Sequence, residues 1–161
     1  MSNQINFTFQ ESDWTPPTSF PNLKDAKEVA IDLETKDPFI KEKGPGWATK
    51  QGNIIGVAVA TESFKGYYPV AHEAGGNMDM MMVMNWVQDI CRSKATKIFH
   101  NASYDIGWLR AHGVTVYGSI ADTMIAAALI DENRFRYSLN ALSVDYLSEL
   151  KSEAGLREAA E

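Results

Sequence analysis

Three strand-like runs crowd residues 28 to 72: EVAIDLET at 28–35, GNIIGVAVAT at 52–61 and KGYYPVAH at 65–72. Each is rich in β-branched or aromatic residues, and only a short polar turn parts the last two. Together they suggest an antiparallel three-strand meander. After Gly75 and Gly76 the pattern changes to helix and strand in alternation. It predicts a helix over 78–94, a strand over 96–101 and a helix over 102–112, then a strand near 114–120 and helices over 123–131 and 138–150. A meander followed by such units gives an α/β fold, with a mixed sheet whose later strands run parallel and helices on both faces. The connection at 36–51, with two Gly, two Pro and a Trp, reads as more loop than element. Residues 1–27, with three prolines in WTPPTSFPN, read as an extended leader lying over the domain, and 28–161 as the domain itself.

At 161 residues and 45 % hydrophobic composition the chain suffices for one core and one domain. A formal charge of −6 argues against a broad basic face for duplex nucleic acid, but leaves room for a small site that recruits divalent cations. Cys91 is the single cysteine, so intrachain disulfides and thiolate metal clusters are excluded, in keeping with a reducing cytoplasm. No apolar run approaches the length of a membrane span, and a soluble intracellular protein without a membrane partner is expected.

Within the first run, VAIDLETKD places Asp32 and Glu34 one residue apart. On a strand they share a face, about 6.6 to 7 Å apart. Two carboxylates beside an apolar run are costly to desolvate unless a cation or hydrogen-bond donors compensate, and a hard divalent ion such as magnesium takes oxygen ligands of this kind. The plainer reading is that both sit solvated at the strand's exposed end. A second cluster lies in IFHNASYDIGWL, where a strand runs into a helix whose first turns carry Asn101, Tyr104 and Asp105. Asn101 and Asp105 are four apart on one helical face, and Asn is also a natural helix cap. If this strand neighbours the first, Asp105 comes beside Asp32 and Glu34.

These stretches resemble the 3′-5′ proofreading exonuclease domain of family A DNA polymerases, in the DnaQ-like (DEDD) exonuclease superfamily, and are most similar to versions from bacteriophages. IDLET resembles the first exonuclease motif and NASYD the second, with its Asn-x-x-Tyr-Asp spacing. YYPVAH resembles the family's third strand, ADTMIAAALI its Asp-Thr helix start and YSLNALSVDYL its Ser-Leu helix, so the likeness runs from about residue 28 to 150. The family's third motif, Tyr-x-x-x-Asp, does not appear before Glu161, and VDYL at 144–147 is no substitute. The expectation is therefore a domain incomplete at its C-terminal end, from a longer polymerase.

The resemblance implies a ribonuclease H-like fold and two-metal hydrolysis of phosphodiester bonds at the 3′ end of single-stranded DNA, with Mg2+ or Mn2+. It implies that Asp32 bridges both ions, Glu34 holds the water-activating ion and Asp105 holds the second. Leu33 and Thr35 resemble positions that meet the terminal nucleotide, and Asn101 and Tyr104 positions that support the strand's backbone and the floor of the site. The implied partners are a single-stranded DNA end and the polymerase domain of the parent, in the cytoplasm of a bacterial host if the chain is phage-encoded. Two alternatives stand beside this: a 3′ exonuclease acting on RNA, and a non-catalytic fragment that binds nucleic acid or a polymerase partner.

Other features admit plainer readings. The run NMDMMMVMNW is expected to pack on the sheet, and His72 and His100 to serve in the core or as hydrogen-bond partners rather than as metal ligands. Asp122 reads as the N-cap of the helix that follows, with a spare carboxylate as the other reading. Trp47 either anchors its loop or stacks on a base.

Overall fold

The computed structural model describes residues 15–73 and 75–148; the leader's first half and the end of the last expected helix lie outside the described residues. In chain order the elements are β1 (Glu28–Lys36), α1 (Ile40–Lys43), α2 (Gly46–Thr49), β2 (Asn53–Ala60), β3 (Lys65–Pro69) and α3 (Met80–Arg92). They continue with β4 (Thr96–Phe99), α4 (Ala102–Ala111), β5 (Ile120–Asp122), α5 (Thr123–Ile130) and α6 (Leu139–Leu147). The strands form one sheet in the order β3-β2-β1-β4-β5. The first three make the expected antiparallel meander, and β4 and β5 join in parallel.

Alternation along β1 sorts its side chains. Val29, Ile31 and Leu33 are buried in the core, while Ala30, Asp32 and Glu34 take the other face. Pairing carries the division into β2, where Val57 and Val59 sit opposite Leu33 and Ile31, and Gly56 and Ala58 opposite Glu34 and Asp32. Helix α3 covers the core face with the stripe Val83, Met84, Val87, Ile90 and Cys91, and Asp79 caps its start by accepting the Met82 N–H at 2.9 Å. Trp108 and Leu109 of α4 complete that core. The methionine-rich run is thus chiefly a packing helix, with Met81 and Met82 left outward.

Some expectations need correction. Of the strand expected near 114–120 only Ile120–Asp122 forms, because Gly113 and Gly118 both take positive φ and the chain between them binds α3 instead. The Thr115 backbone exchanges hydrogen bonds with the Gln88 side chain, and the Tyr117 N–H donates to the Cys91 carbonyl. β3 ends at Pro69 rather than His72, since the next two amides, of Val70 and Ala71, turn to the Ile55 carbonyl. Ile55 lies where the β1–β2 register shifts, beside Glu34. The connection after β1 holds two one-turn helices where only loop was expected. Ahead of β1, Phe20 stacks on Tyr68 with centroids 5.5 Å apart, and Trp86 Nε1 donates to the Pro21 carbonyl at 2.9 Å.

Candidate active site

Asp32 and Glu34 rise from β1 on the face opposite the core, among the smallest side chains of the sheet, Ala30, Gly56, Ala58 and Ala60. Asp32 is half-buried and Glu34 exposed. This face opens into a cavity of about 600 Å³ lined by Asp32, Ala58, Tyr67, His100, Thr123 and Leu139.

Asp105 reaches the pair through a gap in the sheet. The parallel ladder between β1 and β4 ends at Ala30 and Ile98, where β4 turns toward α4. Beyond that point Asp105 Oδ1 takes the place of a strand partner, accepting the Leu33 N–H at 3.2 Å. Leu33 stands between Asp32 and Glu34 in sequence, so one hydrogen bond joins the two acidic stretches. Asp105 is only 3 % exposed. Burial above all, then the charge of Asp32, pushes its carboxyl up to about 7, against the pull of the Leu33 amide.

The start of α4 is fixed by Asp122 rather than by Asn101. Asn101 sits in the left-handed region at φ 66°, and its side chain makes no cap; it accepts from Ser103 Oγ. The Asp122 carboxylate accepts the N–H groups of Asn101 at 3.1 Å and Ala102 at 2.7 Å, and those of Met124 and Ile125 at 2.9 and 3.4 Å. One side chain therefore caps α4 and α5 together, which extends the expected single cap. Burial works to raise this carboxyl, but the four amides outweigh it and hold it below its ordinary value.

Tyr104 and Thr35 meet as the sequence suggested, with Oγ1 and Oη 3.0 Å apart. Tyr104 donates its proton to Asp37 Oδ2 at 2.9 Å, so Thr35 is the donor in their contact. The same Asp37 oxygen accepts the Gly46 N–H at 2.8 Å. A Cβ at Gly46 would come within 2.0 Å of the Gln51 carbonyl, which accounts for glycine there. Trp47 packs on Gly107 of α4, where a Cβ would lie 2.4 Å from its ring; it anchors the loop.

Of the expected site residues, Asp32, Glu34, Thr35, Tyr104 and Asp105 gather at the end of β1 and the first turns of α4. Leu33 does not join them through its side chain, which is 7 % exposed and in the core; its contribution is its backbone N–H. His100 bonds Thr123 Oγ1, and His72 bonds Tyr67, both hydrogen-bonding roles as expected. Sequence reasoning missed Asp37 and Tyr67. The signal for Tyr67 was pairing: Asp32 faces Ala58, and Ala58 faces Tyr67, one row across three strands.

The donor set suits a hard divalent cation, because the gathered groups are carboxylates, and the charge of Asp32 adds to burial in raising Asp105. Among the described residues no three His, Cys, Asp or Glu side chains converge closely enough to enclose an ion. Magnesium binds through one or two carboxylates with water and phosphate oxygens filling its remaining positions, so an open acidic face is compatible with it. Also among the described residues, no helix is long and apolar enough to cross a membrane.

Comparison with known proteins bears on the arrangement. The family model for the 3′-5′ exonuclease of DNA polymerase A matches residues 18–155. A DNA-directed DNA polymerase of Pseudomonas phage M6 is 35 % identical over 166 aligned positions, covering 96 % of this chain and 24 % of that protein. Among solved structures, Brucella melitensis NrnC with bound Mg2+ superposes with a TM-score of 0.58 at 23 % identity, over 87 % of this chain and 69 % of that one. Escherichia coli RNase D, an exoribonuclease involved in structured RNA processing, gives 0.59 at 14 % identity, over 82 % and 31 %. The fold shared with these neighbours is the ribonuclease H-like one.

Proposed function

This chain belongs to the 3′-5′ exonuclease domain family of DNA polymerase A, and from that premise we propose that it hydrolyses phosphodiester bonds at the 3′ end of single-stranded DNA. The observation that supports this most is the hydrogen bond from the Leu33 N–H to Asp105, which brings the acids of both motifs to one strand end. Asp32, Glu34 and Asp105 would hold divalent ions, Mg2+ or Mn2+. When bound, such ions supply a nucleophilic hydroxide near neutral pH and charge to stabilise the leaving 3′ oxygen.

The chain's own residues do the rest. Asp105, whose carboxyl burial raises to about 7, is divided between its two protonation states at neutral pH and would be held ionised beside a bound cation. Thr35, Tyr104 and Asp37 form a hydrogen-bonded flank against which the terminal nucleotide would be oriented, and Asn101, at the start of α4, would support its backbone. The chain spans 24 % of the phage polymerase it resembles; proofreading for an attached polymerase, in the cytoplasm of a bacterial host, is part of this proposal. The third-motif acid expected of the family is not among the residues placed at the site.

The test is cleavage of a 5′-labelled single-stranded DNA oligonucleotide and its RNA counterpart, with Mg2+ and with Mn2+, beside Asp32→Ala. A DNA ladder shortening from the 3′ end and absent in the variant is expected. Undiminished cleavage by Asp32→Ala would overturn the site, a strong preference for RNA would overturn the substrate, and no cleavage in either metal would overturn the activity for this chain.

A further inference from the structure

Tyr67 lies at the edge of this site and has no part in the scheme above. It belongs to β3, an edge strand, yet its side chain shares the face of Asp32 through the row Asp32, Ala58, Tyr67. Its ring lies across β2 at Gly56: a Cβ there would come within 1.9 Å of the phenol oxygen and 2.3 Å of Cζ. Gly56 is the register partner of Glu34. Glycine at that position is thus what lets a residue two strands away bring its hydroxyl beside the acid pair. The phenol senses those neighbours: burial first, then the charges of Glu34 and Asp32, push it up to about 12, so it remains an O–H donor at neutral pH.

The hydroxyl is also held from behind. His72 Nε2 lies 2.5 Å from Tyr67 Oη, with the rings edge to face. His72 is fixed by Asn77, whose side chain accepts its N–H at 2.7 Å and donates to its carbonyl at 2.8 Å. With two carboxylates on the far side, the favourable dipole order runs from His72 Nε2–H to the phenol oxygen and from the phenol O–H toward the site.

We propose that Tyr67 is a further substrate-contacting residue, its hydroxyl donating a hydrogen bond to a non-bridging oxygen of the phosphodiester, and that His72 is its positioning residue. A phosphate approaching Asp32 and Glu34 meets like charge, and a fixed neutral donor at the rim is the kind of group that offsets this without adding an ion. The inference rests on the exonuclease reading.

Tyr67→Phe keeps the ring over Gly56 and deletes only the hydroxyl. Its kcat/KM for a 5′-labelled single-stranded DNA oligonucleotide in Mg2+ is expected to fall about ten- to a hundredfold. Binding of thymidine 5′-monophosphate in Mg2+ is expected to weaken about fivefold or more. His72→Gln should slow cleavage in the Tyr67 background and change nothing further in the Tyr67→Phe background, a non-additivity that packing alone does not produce. If the wild type cleaves and binds the mononucleotide and Tyr67→Phe matches it in both, the role of Tyr67 is overturned and the exonuclease reading stands. If the wild type does neither, that reading fails and this inference falls with it.

Discussion

Asp105 shows how one residue joins electrostatics to structure. Its alternation partner could not be read from sequence, because that depended on where the β1–β4 ladder stops and leaves the Leu33 amide without a strand partner. What was legible was its position, four after Asn101 on a helix that follows a strand. The consequence is a pH dependence. The unfolded carboxyl titrates near 3.8 and the folded one at about 7, so the native state binds its proton more tightly. Ionisation therefore costs stability, none of it below pH 4 and all of it above pH 7, growing in between. Asp105→Asn keeps an oxygen for the Leu33 amide and removes the charge. In metal-free buffer at pH 8 it should be more stable than wild type by on the order of 1 to 3 kcal/mol, and at pH 4 indistinguishable. Thermal melts in a chelator across this range check it; a constant offset between the two proteins at every pH would mean that the charge is not the cause.

Among the elements, the junction of β4, α4, β5 and α5 carries the site, and one carboxylate holds it. Hydrophobic period placed both helices within a residue or two, and Asp122 was legible as the cap of α5 because it directly precedes an apolar run. Its second duty was hidden: Asn101 looked like the cap of α4, and only the parallel register of Phe99 with Asp122 brings the real acceptor alongside. The strand misjudged near 114–120 has the same origin, since apolar and β-branched residues there found partners on α3 that no local pattern announces. Asp122→Ala leaves four amides at two helix starts without their acceptor. A loss of about 2 to 4 kcal/mol is expected, more than an ordinary cap. Hydrogen exchange at Asn101, Ala102 and Met124 should quicken together; quickening confined to Met124 would reduce Asp122 to the cap of one helix.

At the scale of the whole molecule the sheet has two unlike faces. One is filled by Ile, Val and aromatic side chains under α3 and α4; the other is lined near Asp32 by glycine and alanine and leaves a cavity beside the acids. The β2–β3 pairing was legible because a short turn leaves those strands no other partner, and three strand-like runs in succession pointed to the meander. The division of faces was legible too, from the alternation in VAIDLET. The Tyr67 contact was not, because it needs the register of three strands at once. A face that gathers carboxylates without enclosing a cation should be stabilised when one binds. Only the native state presents the acids together, so at a metal concentration a hundred times Kd the gain is about 2.7 kcal/mol, several degrees in melting temperature. Binding must also displace the proton of Asp105, so the shift produced by Mg2+ should be larger at pH 8 than at pH 5.5, where that carboxyl is protonated. Asp32→Ala should lose the shift at both values. The measurement is a pair of thermal melts, chelated and Mg2+-loaded, at each pH. A shift that survives in Asp32→Ala, or that does not grow with pH, would place the ion elsewhere on the protein and separate the acidic face from metal binding.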